Sequence, residues 1–561
     1  MSADEGAGDP VTSVSRSSAI MSSGTLVSRV FGALRGVVLA AAIGATGQAA
    51  DAFSVANKLP NVLYLLLAGG ALNAVLVPQV VRAYRRNAGQ EYVDRLLTFG
   101  FAVLFVATAA LTAAAPLLVR LYADPCSEAQ IALATTFAYW CVPQMFFYGA
   151  YALLGQVLNA RGSFGPYMWA PVVNNLVAIA GFGVFIALFG SSAGGAAGWD
   201  GGTIAVLAGS ASAGIVAQAA VLVPFLRRAG VRYVPRWGLR GSGLGRGGTV
   251  AVWTFVGLAI GQLGYIVVSR VASAAPGAAG VAASVCDAHT PVAGNAAYDY
   301  AFLVFMLPHS LITTSLTTAL FTRLAAQAHD EDTAGVRASL SAGLRVIGVA
   351  TVGAAAVVGV LAYPVVRLFL WTAPAEEVAA VGAVVIAMIV GLPAFGAWSM
   401  CQRVYYAYED ARGMVPIQVV MAAVVVTGTL LVRALAPAQW WVAGAGGAMS
   451  VSYLVGALLA MRALRRRLRD VDGPRVLRLH LQAILAAAGA AAVGIALLAA
   501  LGADPGMGLG GAVGRCVLVG LVMVAAYAGA LKLLRVGELD LLLGSARALA
   551  SRLVRRGGRP R

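Results

Sequence analysis

The sequence of 561 residues is 60% hydrophobic and 11% charged, with a formal net charge of +17. Apolar runs of the length that crosses a bilayer recur from end to end, which excludes a soluble globular chain. In a soluble protein such a charge would suggest nucleic acid. Here the arginines sit in short connections between apolar spans, so the sign reports topology and no nucleic-acid partner is expected.

Residues 1–16 are small, polar and acidic and read as a disordered cytoplasmic tail without a removable signal peptide. Apolar spans follow at 17–43, 53–81, 97–122, 130–158, 166–190, 203–226, 248–273, 293–322, 341–369, 377–407, 415–435, 441–462, 476–501 and 509–534. The expected fold is therefore all-α, a polytopic membrane protein with about 14 transmembrane helices. The connections alternate in charge. One side holds Arg82, Arg85, Arg86, Arg95, Arg161, the arginines from Arg227 to Arg246, Arg323, Arg337, Arg403, Arg412 and the cluster from Arg462 to Arg478. The other holds Asp51, Asp124, Glu128, Asp200, Asp287, Glu376, Glu377 and Asp504. This alternation places both ends of the chain in the cytoplasm.

Leu59-Pro60-Asn61 in the second span resembles Leu307-Pro308-His309 in the eighth. Ala160-Arg161-Gly162 resembles Ala411-Arg412-Gly413 at nearly the same offset. This faint repeat suggests two parallel six-helix halves, a pattern of transporters. The expected organisation is an N-lobe at 17–226, a basic linker at 227–247 and a C-lobe at 248–466, around a central cavity. A C-terminal helix pair at 467–535 and a basic tail at 536–561 complete it.

Charged residues inside apolar spans cost about 2.5–3.5 kcal/mol at the bilayer centre and tend to face a cavity. Arg29 and Arg35 in the first span, with Asp51 and Lys58 in or beside the second, mark a cationic cavity suited to an anionic ligand. The alternative is that both arginines reach for phosphate head groups from a helix end. They lie about 240° apart around a helix, so at most one aims at the cavity centre unless the helix bends. Asn174 and Asn175 are candidates for bridging helices through amide hydrogen bonds. Gln262, Arg270 and Asp299 are further intramembrane polar groups, the last two able to pair. Pro60, Pro143, Pro308 and Pro393 mark expected kinks.

The glycine-rich stretch 190–202 lacks the Gly-Lys-Ser/Thr of a phosphate loop and reads as an external linker. No acid/base carboxylate pair or nucleophile motif occurs, and neither the five cysteines nor the four histidines show ligand spacing. The expectation is a secondary transporter, not an enzyme, with no cofactor and no metal. The stretch from Val536 to Val554 mixes leucines with arginines like a segment lying on anionic lipid.

Ser28-Arg29-Val30-Phe31-Gly32, Asp51-Ala52-Phe53, Lys58-Leu59-Pro60-Asn61, Leu158-Asn159-Ala160-Arg161-Gly162 and Ala170-Pro171 together closely resemble the MurJ (MviN) family. These are lipid II flippases of peptidoglycan synthesis, within the multidrug/oligosaccharidyl-lipid/polysaccharide exporter superfamily. Leu307 to Thr313 looks most like the actinobacterial branch. The resemblance implies fourteen helices, two six-helix lobes around a cavity and a final helix pair forming a lipid-tail groove. It implies lipid II, undecaprenyl-pyrophosphate-linked disaccharide-pentapeptide, as substrate, flipped across the bacterial cytoplasmic membrane by alternating access. Membrane lipids and proteins of cell-wall synthesis and division are the implied partners.

Arg29 and Arg35 match the family's first-helix arginines, thought to contact the pyrophosphate. Asp51 and Lys58 match a family aspartate and the lysine of its Lys-Leu-Pro-Asn motif. The chain departs from the family at Tyr64 and at about Leu303, where many members have cavity arginines, and at Gly69, where they have a glutamate. Arg270 is the candidate replacement for the lost charge. No aspartate lies in 248–269, so the sodium site of some members is unsupported. Some actinobacterial relatives also carry a cytoplasmic kinase-like domain, which this sequence is too short to hold. The rival readings are a flippase for another polyprenyl-linked glycan, a multidrug exporter, or a non-transporting divisome scaffold.

Overall fold

The computed structural model describes residues 10–67, 89–124, 127–191, 196–238, 248–279, 291–502 and 504–539. Gly69, the loop arginines Arg82, Arg85 and Arg86, Asp287 and the stretch beyond residue 539 lie outside them, as do residues 1–9. Helix is the only regular structure among the described residues. Two compact units are distinguished, Met1–Gln262 with Pro276–Thr290, and Leu263–Ala275 with Pro291–Arg561.

The first unit holds α1 (Pro10–Ile43), α2 (Gln48–Leu67), α3 (Gly89–Ala113), α4 (Ala115–Tyr122) and α5 (Glu128–Cys141). It continues with α6 (Gln144–Ala160), α7 (Phe164–Phe189), α8 (Gly201–Ala220) and α9 (Leu222–Arg228). Helix α10 (Gly248–Ala278) contributes residues to both units. Within the first unit α7 lies between α1 and α8, and α2 packs on α5. Leu96, Leu97 and Leu104 of α3 meet Leu153, Val157 and Leu158 of α6 and Leu222 of α9 in one buried cluster. Small residues allow close approach where there is little hydrophobic drive between helices in lipid. A methyl at Gly214 of α8 would fall 2.8 Å from the carbonyl oxygen of Asn174 on α7 and overlap its side chain.

The second unit holds α11 (Asn295–Pro308), α12 (Thr314–His329), α13 (Thr333–Val360), α14 (Ala362–Phe369) and α15 (Ala375–Ile389). It continues with α16 (Leu392–Ala407), α17 (Ala411–Leu435), α18 (Trp441–Leu468), α19 (Gly473–Leu501) and α20 (Leu509–Leu533). The final pair, α19 and α20, packs on itself and on α13. Val349 and Val352 of α13 are buried with Leu479 and Ala483 of α19 and Leu531 of α20. The Tyr527 hydroxyl of α20 donates to the Val349 carbonyl at 2.7 Å. Midway along α13, Arg345 pairs with Asp472 (3.2 Å) and with Glu538 (2.7 Å).

Eleven of the described helices are long and apolar enough to cross a membrane, and the pair α15–α16, bent by 47°, brings the number to twelve. The chain is a multi-pass membrane protein. The remaining two expected spans differ from simple helices. The span at 53–81 starts earlier, as α2 at Gln48, and runs into residues outside those described. The span at 130–158 is two helices, α5 and α6, meeting at Val142–Pro143, where proline has no N–H to continue the ladder. Pro308 precedes a π-turn at His309–Thr313 that joins α11 to α12, and Pro393 follows the bend between α15 and α16. Pro60 lies inside α2, which continues through it to Leu67.

Candidate functional site

Helix α1 runs unbroken through both arginines, so they keep their separation of about 240°. Both are half-buried. Arg35 makes no ion pair and no hydrogen bond among the described residues; its guanidinium acts electrostatically on the phenol of Tyr148 on α6. Tyr148 in turn stacks on Tyr64 of α2, with ring centroids 6.0 Å apart. Tyr64, where the family resemblance implies a second-helix arginine, thus carries a ring that packs on Tyr148. Tyr151 and Tyr167 stack nearby at 4.7 Å, the Tyr151 hydroxyl donating to the Tyr167 carbonyl at 2.9 Å.

Arg29 follows Ser28, whose carbonyl accepts from Nδ2 of Asn175 at 3.0 Å. This bond ties α7 to α1 beside the arginine. Asn174 points elsewhere: its Oδ1 is buried without a hydrogen-bond partner and faces Gly214 of α8. Asp51 is 2% exposed in the first turn of α2, where a carboxylate suits the positive end of the helix dipole. Lys58 lies about two turns further on, so it shares a face with Asp51. It is half-buried and acts on the phenol of Tyr122, the last residue of α4. Arg35 and Lys58 therefore each stand by a tyrosine, on α6 and α4 respectively.

Arg270 and Asp299 belong to the second unit, both half-buried on α10 and α11. Beside them Ser269 Oγ donates to Asn295 Oδ1, and Asn295 Nδ2 donates back to the Ser269 carbonyl, each at 3.0 Å. That buried exchange fixes the register of the two helices. Gln262 belongs to the first unit, and its Oε1 is buried without a hydrogen-bond partner. Leu303 lies on α11. Asp410 caps α17 through the Gly413 amide (2.9 Å) and pairs with Arg467 at 2.8 Å.

Outside the spans, charge pairing fixes the connections. The Arg236 guanidinium, with Arg95 beside it, holds the Glu91 carboxyl below the usual carboxylate range. Arg236 reaches Glu91 at 3.1 Å, while its amide and the Tyr233 hydroxyl both engage Thr98 Oγ1. The segment after α9 is thereby strapped to α3. Asp200 caps α8 through the Thr203 amide (2.7 Å) and hydroxyl, which lower its pKa.

Sequence reasoning did not single out Tyr148 or Tyr122. A tyrosine in an apolar span carries no local signal of its neighbours, since its partners sit on helices distant in sequence. No group of three or more His, Cys, Asp or Glu able to hold a metal occurs among the described residues. The first unit thus holds a guanidinium without an ion pair or hydrogen bond among the described residues, on α1, and a half-buried lysine on α2.

The chain is 27% identical over 396 residues to a probable lipid II flippase MurJ of Rhizobium meliloti, covering 69% of each chain. It is 30% identical over 268 residues to the probable lipid II flippase MurJ of Haemophilus influenzae, covering 44% of this chain and 49% of that protein. The chain thus spans about half the length of the latter relative. Among solved structures, a lipid II flippase MurJ in an inward closed conformation superposes with a TM-score of 0.65 at 16% identity. That match covers 92% of this chain and 99% of the other. An inward-facing multidrug resistance transporter of the MATE family gives 0.62 at 13% identity, over 80% and 96% of the two chains. These likenesses show the fold. The family profile described as Lipid II flippase MurJ matches residues 39–506, and the chain belongs to the MurJ family.

Proposed function

We propose that this protein is a lipid II flippase, a transporter rather than an enzyme. It moves the undecaprenyl-pyrophosphate-linked peptidoglycan precursor from the inner to the outer leaflet of the bacterial cytoplasmic membrane by alternating access. The half-buried guanidinium of Arg35 on α1, without an ion pair or hydrogen bond among the described residues, carries the reading. A diphosphate must shed water to cross hydrocarbon, and arginine replaces that solvation with paired charge-assisted hydrogen bonds. A few cationic groups suit a carrier, because binding that is too tight would prevent release. Arg29, Arg35, Lys58 and Asp51 form the head-group site; Arg270 is a further candidate. A multidrug exporter on this fold would favour acidic cavity residues for cationic substrates, whereas the first two helices here are basic. Both termini are cytoplasmic, on the side of the arginine-rich connections.

The test is rescue of lipid II externalisation in a bacterium depleted of its own flippase. The intact chain is compared with an Arg29→Ala, Arg35→Ala variant at equal membrane levels. The expected result is rescue by the intact chain alone. No rescue by the correctly inserted intact chain removes the substrate assignment, and rescue by both removes these arginines from the site. Arg270→Gln is scored in the same assay; full activity removes it.

A further inference from the structure

The geometry points to a bound anionic glycerophospholipid at the C-terminal end of α18, held by four arginines and an apolar stripe. Arg462, Arg465, Arg466 and Arg469 are all exposed and together line a pocket of about 470 Å³. None of the four has an ion pair or hydrogen bond among the described residues. The acidic groups nearby are already engaged. Asp410 pairs with Arg467, whose guanidinium also lies 4.0 Å from the ring centroid of Tyr408. Asp470 accepts from the amides of Val471 and Asp472, and the Asp472 carboxylate is held by Ser341 and Arg345. One arginine of the run is neutralised within the protein, and the four lining the pocket are not.

The same helix face continues into hydrocarbon. Val451, Leu454 and Leu458 are 52%, 51% and 53% exposed, while Ala460 and Leu464, turned away from them, are buried. The series 451, 454, 458, 462, 465, 469 advances by threes and fours and closes on itself after about five turns, so it is one stripe. Val451 lies about 16 Å along the axis from Arg462, roughly the depth of one leaflet of a hydrocarbon core about 30 Å thick. A soluble anion would use only the arginines, and an acidic protein would have no use for leucines at membrane depth. A phosphate head group with an acyl chain beneath it uses both. Basic residues at a membrane edge alone satisfy the positive-inside rule, but that rule demands neither a shared pocket nor register with an exposed apolar stripe.

The experiment titrates purified, delipidated full-length protein with phosphatidylglycerol, with phosphatidylcholine and with inorganic phosphate, counting bound lipid by native mass spectrometry. Phosphatidylglycerol is expected to bind in preference to phosphatidylcholine, with inorganic phosphate a poor competitor. Replacing Arg462, Arg465, Arg466 and Arg469 by Gln is expected to weaken phosphatidylglycerol binding about tenfold or more, while Arg227→Gln, Arg228→Gln changes it less than about twofold. A Leu454→Ser, Leu458→Ser variant is expected to lose lipid without losing phosphate binding, and it tests the proposal should the quadruple variant misfold. Equal lipid binding by the arginine variants and the intact protein overturns the proposal. So does displacement by inorganic phosphate as effective as by phosphatidylglycerol, or saturation of the pocket by an acidic protein in lipid-free detergent.

Discussion

Replacing Arg35 by Gln should weaken binding of the head group without weakening the protein. The side chain is half-buried and makes no ion pair or hydrogen bond among the described residues, so its removal breaks no described contact and uncovers no buried partner. What disappears is its hydrogen bonding to the ligand's phosphate, and a hydrogen bond to a charged group is worth about 1.5–3 kcal/mol. That corresponds to an affinity loss of about tenfold to a hundredfold. Arg35→Lys should fall between, because an ammonium keeps the charge but not the planar fork. The assay is lipid II binding to purified protein in nanodiscs, with the unfolding midpoint recorded on the same preparations. Unchanged affinity refutes the reasoning. So does a loss of affinity matched by a large fall in the midpoint, which would make Arg35 a structural group that the geometry fails to reveal.

Asn175→Leu removes the hydrogen bond from α7 to the Ser28 carbonyl. Such bonds between membrane helices average about 0.6 kcal/mol, so a small fall in unfolding midpoint is expected, with faster hydrogen exchange in α1 around Ser28. Gly214→Ala forces a methyl to within 2.8 Å of the Asn174 carbonyl. Overpacking of this kind costs about 1–3 kcal/mol in an unfolding titration, while Gly183→Ala, with nothing within 4 Å, serves as the neutral control. The strap from Arg236 to Glu91 should be acid-labile. Glu91 titrates below its ordinary value when folded, so its contribution is present above the ordinary carboxylate pKa and is lost as pH falls through the folded one. Limited proteolysis between residues 231 and 238 should therefore accelerate on acidification, and Glu91→Gln should show fast cleavage without that pH dependence.

The sequence by itself determined the class of protein, because a bilayer requires long apolar helices and sorts arginine to one side of them. It also singled out Arg29, Arg35, Asp51 and Lys58, since a charge in an apolar span is conspicuous whatever surrounds it. It could not separate Asn174 from Asn175. As neighbours about 100° apart on one helix they have the same local chemistry, yet one faces Gly214 of α8 and the other bonds Ser28 of α1. Nor could it pair Tyr148 with Arg35 and Tyr64, or Tyr122 with Lys58, since those neighbours come from four different helices. The break at Pro143 and the π-turn after Pro308 show the same division: a proline in a span announces disrupted hydrogen bonding, but packing decides whether the helix breaks, widens or continues, as it does through Pro60. Local composition fixes what each helix is made of. Which face meets which neighbour depends on shape complementarity between segments far apart in the chain, and only the folded structure holds that.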